Sequence, residues 1–317
     1  MSGPDSNRHV VIAGGSEFIG TSIAEYLHAR GWAVIVLSRH PSRRQLPWRC
    51  ISWDARTKGE WCSALEGAVA LINLVGRSVD CVKTPDNQDE ILRSRVEATR
   101  ILGFAVRNAS EPPPVWIQMS SAHIYGDPPE ITCTEDSPTG CGFAPWVVKR
   151  WEEEFDACRL FSQRPVVLRT SFVLGRDRGA GQGALSRLLR LARWGLGGTV
   201  GCGSQGISWI HELDLCRLVE RSLLDPGMRG TYTASSPNPI PSREFMSQLR
   251  SAIGARIGLP ATAWMVRLGA HLILRTDPEL ALYGRYVVSE RLKEQKFEFR
   301  FPRIDEALRD VIRNEVA

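Results

Sequence analysis

Apolar residues in this chain fall into two registers. Short apolar runs occur at Val10–Ala13 and Ala33–Leu37, with further strand candidates at Ala68–Leu74, Val115–Met119 and Val166–Arg169. Between them, apolar side chains recur every three or four positions, as at Phe18, Ile19, Ile23, Ala24 and Leu27 ahead of Gly31. Continuous runs of this length fit strands buried on both faces, the habit of parallel sheets. The three-four spacing fits amphipathic helices, and a glycine just past the last apolar position ends one. A further helical stretch covers 90–108. Repeated strand-helix units predict an α/β, doubly wound parallel sheet with right-handed crossovers.

The second half is less regular. Residues 175–206 form a glycine-studded segment around an Arg/Leu-rich helix at 184–194, Trp209–His211 reads as another strand, and Asp214 opens a helix. Pro237, Pro239 and Pro241 mark a boundary, followed by mostly helical sequence. The expected organisation is a nucleotide-binding domain over 8–174 and 207–236. A smaller, discontinuous C-terminal subdomain, on the substrate side, takes 175–206 and 237–312.

Charge narrows the function classes. The 317 residues carry a formal net charge of +5, nearly all the positive charge is arginine, and no block of five like charges occurs. A nucleic-acid-binding face is therefore not expected. The polar start, Met1–Asn7, lacks the apolar core of a signal peptide. The greasy stretch Ala261–Leu274 is interrupted by Arg267 and His271 and is too short to span a bilayer. Eight cysteines without CxxC pairs read as free thiols in a reducing cytoplasm, with neither a disulfide framework nor a metal site.

The most informative local pattern is Gly14-Gly15-Ser16-Glu17-Phe18-Ile19-Gly20, a turn leading from a strand into a helix. A dinucleotide-binding loop spaces three glycines so that the chain turns tightly, the backbone approaches a pyrophosphate, and helix packs on strand. Gly14 and Gly20 hold the outer places and Glu17 the middle one. The turn, Ser16, Phe18 and Ile19 included, aims helix N-terminal amides at a phosphate. Glu17 is expected to weaken binding, by restricting a backbone that needs positive φ and by placing a carboxylate near the pyrophosphate. After the second strand come Ser38, Arg39, Arg43 and Arg44 with no acid. Arginine there suits the 2′-phosphate of NADP(H), so NADP(H) is preferred over NAD(H).

Together these segments resemble an extended short-chain dehydrogenase/reductase, a Rossmann-type fold. More narrowly, the chain resembles the epimerase-like branch of the NAD-dependent epimerase/dehydratase family. The resemblance rests on Gly14–Gly20, Leu71–Gly76, Ser94-Arg95-Val96 with Thr99-Arg100, Ser120–Gly126, Thr134–Pro138, Leu168–Thr170 with Val173–Gly175, Gly195–Gly198, Trp209–His211 and Phe297–Phe299. It implies that Asp54 contacts adenine, against a reading as a turn or capping aspartate. It also implies that Leu74, Val75 and Gly76 pass beside the nicotinamide ribose. Arg169, Gln205, Trp209 and His211 are implied to line the substrate pocket, while Arg176, Arg178, Arg187 and Arg190 read either as contacts for an anionic ligand such as a nucleotide-sugar diphosphate or, more readily, as the solvated face of a helix.

The resemblance breaks at the catalytic residues. The superfamily uses a Ser/Thr, a tyrosine acid/base and a lysine four residues after that tyrosine. Ser121 matches the serine and Lys149 the lysine, holding the ribose, but four residues before Lys149 stands Pro145. Tyr125, with His123 beside it, is the nearest replacement proton donor, against a reading as a buried aromatic; His123 and His211 read more readily as structural. Arg95 stands near where many extended enzymes place an asparagine. Two readings remain. One is an NADP(H)-binding oxidoreductase or epimerase-like protein acting on a small carbonyl or sugar-derived substrate. The other is a catalytically silent sensor or interaction protein. Homodimerisation through the helices near 90–108 and 145–160 is a habit of the superfamily.

Overall fold

The computed structural model describes residues 9–41, 45–128, 131–176, 184–269 and 277–316, with 314–316 as backbone alone. Seven parallel strands form the central sheet: β1 (His9–Ala13), β2 (Ala33–Ser38), β3 (Arg49–Ser52), β4 (Ala70–Asn73), β5 (Val115–Ser121), β6 (Arg164–Thr170) and β7 (Gly230–Ala234). Their order is β7-β6-β5-β4-β1-β2-β3. The chain winds one way from β1 to β3 and then returns to the other side of β1 with β4. The crevice between the carboxyl ends of β1 and β4 is therefore the topological switch point, where open α/β sheets bind ligands.

Crossover helices cover both faces. Helix α1 (Phe18–Ala29) joins β1 to β2, α2 (Pro85–Asn108) joins β4 to β5, and α3 (Phe143–Cys158) joins β5 to β6. Thr84 caps α2 by accepting the Asn87 N–H at 3.3 Å, and Pro85 occupies the first turn, where its missing N–H costs nothing. On one face Val10, Ile12, Ile23 and Leu27 pack with Leu215, Leu218 and Val219 of α5 (Glu212–Leu224). On the other, Val11, Leu37, Leu71 and Trp116 pack with Leu102, Val106 and Phe155 of α2 and α3. Alternate residues of β1 thus serve opposite cores, which explains why its sequence is continuously apolar. Each such side chain, fully buried, contributes about 1.5–3 kcal/mol.

A third core gathers Leu174, Leu189, Trp209, Phe245, Leu249 and Leu308 between α4 (Ala184–Arg193), α6 (Ser242–Ala252) and the C-terminal helix at 304–316. Short parallel strands Phe172–Leu174 and Trp209–His211 connect it to the sheet. Edge strand β7 was not foreseen from hydrophobicity: Gly-Thr-Tyr-Thr-Ala alternates polar and apolar positions, yet pairs with β6 from Gly230–Val166 to Ala234–Thr170. None of the described helices is long and apolar enough to cross a membrane.

Candidate functional site

The glycine turn sits at the switch point. Gly14 has φ +78°, and its N–H donates to the Leu37 carbonyl at 3.0 Å, tying the turn to β2. A Cβ on Gly20 would lie 2.3 Å from the Gly15 Cα, so helix and loop touch backbone to backbone there. A Cβ on Gly14 would meet Val75 at 3.1 Å, which brings the ends of β1 and β4 together. The first intrahelical bond of α1 runs from Thr21 N–H to the Glu17 carbonyl, 2.8 Å. The amides of Phe18, Ile19 and Gly20 therefore have no intrahelical acceptor and remain for an anion.

Glu17 corrects an expectation. It is the N-cap residue of α1 with φ −98° and ψ −177°, an extended backbone open to any residue, and its side chain is exposed. The place does not need positive φ, so the steric objection to a side chain there falls. The exposed carboxylate is free to face water. Ser16 is likewise exposed.

At the end of β2, Ser38 is buried and its hydroxyl accepts the His40 N–H at 3.1 Å, while Arg39 is exposed. Arg43 and Arg178 lie outside the described residues. Asp54 is engaged by its own loop: one oxygen accepts Arg56 N–H and Thr57 N–H at 2.8 Å each, and the other accepts the Thr57 hydroxyl at 2.5 Å. These donors hold the carboxylate down at about 2. The geometry is that of a turn-capping aspartate.

Past β4, the Val75 N–H donates to Asn73 Oδ1 at 3.1 Å, and Asn73 Nδ2 reaches Gln118 at 3.0 Å and Thr99 at 3.1 Å. This buried amide network fixes the strand end. At Gly76 a Cβ would stand 2.9 Å from the Arg95 Cζ, so the missing side chain makes room for a guanidinium of this protein.

The carboxyl end of β5 brings Ser121 and His123 together. Ser121 Oγ lies 2.9 Å from His123 Nδ1, in a single 3-10 turn, Ala122–Tyr125, that the serine caps by accepting the His123 N–H at 3.2 Å. Burial pushes the imidazole down to about 3, and the charges of Arg285, Arg95 and Lys83 press in the same direction. His123 is therefore neutral at pH 7. With its proton on Nε2, Nδ1 accepts the Ser121 hydroxyl.

Tyr125 does not join that pair. It is buried, its hydroxyl lies 3.3 Å from Thr233 Oγ1 and accepts from Arg169 Nη1 at 3.1 Å, and burial raises its pKa. Arg169 in turn donates Nε and Nη2 to Glu152 at 3.0 and 2.8 Å and Nη1 to the Glu135 carbonyl at 3.3 Å. Glu152 also accepts the Ser120 hydroxyl at 2.5 Å. Tyr125 and Arg169 thus form a packed, hydrogen-bonded joint behind β5, so neither the proton-donor nor the pocket-lining expectation matches its geometry. Lys149 Nζ donates to the Gly140 carbonyl at 3.2 Å, and the Gly140 N–H to the Ile124 carbonyl at 2.8 Å, so this lysine braces the 122–125 turn.

The other substrate-side residues are structural as well. Trp209 is fully buried and its indole N–H donates to the Asn238 carbonyl at 3.2 Å. His211 caps α5 by accepting the Leu213 N–H at 3.1 Å, and its ring lies 4.0 Å from that of Phe301; burial lowers its pKa. Gln205 Nε2 bridges the Val200 and Ala281 carbonyls at 3.1 and 2.9 Å. Arg187 pairs with Asp80 at 2.6 Å. Sequence reasoning missed Lys83 and Arg285, which reach the site from a loop and from the far end of the chain. It noted Arg95 only as a departure from pattern.

The glycine turn at the switch point, the serine at the end of β5 and the second, smaller core define a dinucleotide-type α/β fold with a covering C-terminal part. The chain belongs to the NAD dependent epimerase/dehydratase family, whose sequence pattern matches residues 10–228. Residues 261–311 match a domain of unknown function, DUF1731. The human epimerase family protein SDR39U1 is 32% identical over 309 residues, covering 96% of this chain and 99% of that protein. The crystal structure of human SDR39U1 (isoform 2) with NADPH superposes with a TM-score of 0.85 at 29% identity, covering 97% of this chain and 99% of that one. A nucleoside-diphosphate sugar epimerase from Corynebacterium glutamicum gives 0.76 at 26% identity, covering 96% of this chain and 58% of that one.

Proposed function

We propose that this protein is an NADP(H)-binding, epimerase-like oxidoreductase acting on a small carbonyl or sugar-derived compound, with Ser121 and His123 in place of the usual tyrosine apparatus. The observation that carries the reading is the Ser121 Oγ–His123 Nδ1 contact of 2.9 Å at the end of β5, two strands from the glycine turn on β1. The turn fits a dinucleotide: the backbone approach at Gly15–Gly20 leaves no room for a side chain at 20, and the first-turn amides of α1 are open. Those amides would hold the pyrophosphate, and the exposed Arg39 would pair with a ribose 2′-phosphate. The relative with NADPH supports the same cofactor.

When bound, the dinucleotide supplies or accepts a hydride. Ser121 then holds the reacting oxygen, and His123 exchanges the proton with that oxygen through the serine hydroxyl. Calorimetric titration with NADPH and NADH tests the cofactor. The expected result is micromolar NADPH binding, tighter than NADH; no binding at millimolar cofactor would overturn it. With a turned-over substrate, Ser121→Ala and His123→Asn should cut kcat about 10²-fold or more and leave NADPH affinity intact.

A catalytically silent protein is the second reading. It is favoured by the engagement of Tyr125 with Arg169 and of Lys149 with Gly140, which leaves no tyrosine–lysine pair at the site. Retained NADPH binding with no turnover across a carbonyl panel would select it.

A further inference from the structure

Arg95 stands out among the arginines. Its Nη1 donates to the Arg77 and Ile91 carbonyls at 3.1 and 2.8 Å, and its guanidinium lies 5.1 Å from the Trp151 ring centroid. Among the described residues no carboxylate pairs with it, and no acceptor meets its Nε or Nη2. Arg169, by contrast, closes on Glu152, and Arg164 donates Nη1 to Met228 O and Nη2 to Leu223 O. Burial pulls the Arg95 guanidinium down to about 10, with no opposing charge to offset it. Arg95 is half-buried, and a cation partly withdrawn from water without a counter-ion is costly to keep. Gly76 leaves room for it: a Cβ there would stand 2.9 Å from the Arg95 Cζ and the guanidinium would have to shift.

The β4–β5 register pairs Asn73 with Gln118, so Gly76 and the guanidinium packed on it stand at the same end of the sheet as Ser121, and two more cations act on His123. Lys83 donates to the Cys81 carbonyl at 3.3 Å and lies 3.5 Å from Asp277; Arg285 donates to the Gly126 carbonyl and to Asp127, each at 2.6 Å. Each of these two has a carboxylate of its own, so the uncompensated charge at the Ser121–His123 pair is that of Arg95.

We propose that Arg95 is the recognition site for an oxyanion on the substrate, a carboxylate or phosphate, carried near its reacting carbonyl. The inference rests on the oxidoreductase reading and gives it a substrate class: small anionic carbonyl or hydroxy compounds. A guanidinium presents two parallel N–H donors that match the paired oxygens of either group. The arrangement also couples binding to chemistry. Arg95 is one of the charges that oppose protonation of His123, so an oxyanion paired with it relieves part of that opposition and makes the imidazole a better proton acceptor when substrate is in place.

The test titrates oxalate and inorganic phosphate into NADPH-saturated protein and into cofactor-free protein, for the wild type, Arg95→Gln, Arg95→Lys and Lys83→Gln. Saturable binding of at least one anion to wild type is expected. It should weaken at least tenfold in Arg95→Gln and less in Arg95→Lys and Lys83→Gln, with NADPH affinity unchanged throughout. Preference for oxalate assigns a carboxylate and preference for phosphate a phosphoryl group. Equal anion affinity in wild type and Arg95→Gln overturns the proposal, as does the absence of saturable binding. Competition between the anion and NADPH, with NADPH affinity lost in Arg95→Gln, also overturns it, since Arg95 would then serve the cofactor. Should NADPH fail to bind wild type while the anions still bind through Arg95, the cofactor reading fails and the anion site stands. If Arg95→Gln does not fold, Arg95→Lys decides: unchanged anion affinity there overturns the site.

Discussion

Arg169 and Glu152 meet in a two-pronged ion pair behind β5, Nε to Oε1 at 3.0 Å and Nη2 to Oε2 at 2.8 Å, with both side chains largely shielded from water. The pair connects β6 to α3 and carries the Tyr125 hydroxyl with it. Removing one partner leaves the other charge buried. Arg169→Met should therefore cost about 3 kcal/mol in urea unfolding. The double variant with Glu152→Leu should recover most of that loss, because two apolar side chains replace the pair without an orphaned charge. A single-variant loss no larger than that of an exposed pair would show the joint to be well hydrated.

The glycine turn yields a contrast between two substitutions. Glu17→Gly removes an exposed carboxylate from an extended backbone and should change NADPH affinity by less than about fivefold, the equivalent of 1 kcal/mol. Gly20→Ala places a methyl group 2.3 Å from the Gly15 Cα and forces the loop off the helix. NADPH affinity should fall more than tenfold there, with stability lower by about 1–3 kcal/mol. Equal responses in calorimetry would mean that the loop does not bind the dinucleotide through its backbone.

Arg39→Asp tests the cofactor preference. Replacing a cation by an anion at the end of β2 should lower NADPH affinity at least tenfold and leave NADH affinity the same or improved. Parallel losses for both cofactors would place the 2′-phosphate elsewhere.

The pH dependence of stability follows from His123. Its pKa is about 3 folded, against an ordinary 6.5, so between these values the unfolded chain binds a proton that the folded one does not. Stability from this source is fully present above pH 6.5 and declines as pH falls toward 3. At pH 5 the loss amounts to about 2 kcal/mol. His211, also depressed by burial, adds a slope of the same sign. The diagnostic is therefore the difference between wild type and His123→Asn: the variant should lose less stability between pH 7.5 and 5. Identical slopes would mean that the folded protein does not hold the imidazole below its ordinary range.

Much of the fold was legible because the physics behind it is local. Val10–Ala13 and Ala33–Leu37 are apolar without a break because parallel strands face two cores, and the Gly14 and Gly20 positions answer to a turn and a helix contact within seven residues. Edge strand β7 escaped notice because Tyr232 stands between two threonines, although Tyr232 and Thr233 are both fully buried. The site was harder. Ser121 was visible by spacing, but the burial of Tyr125 depends on Arg169 and Thr233, 44 and 108 residues away. The positive surroundings of His123 depend on Arg285, which Gly126 and Asp127 anchor across more than 150 residues of chain. No window of sequence contains such a pairing.

Arg285 lies within the 261–311 segment matched to a domain of unknown function, outside the 10–228 span that matches the epimerase family. The two spans are therefore not a catalytic body and a detachable appendage. Exchanging the C-terminal segment between relatives would alter the electrical setting of His123 while leaving every residue of β5 untouched. Substrate preference in such chimaeras should follow the origin of the tail.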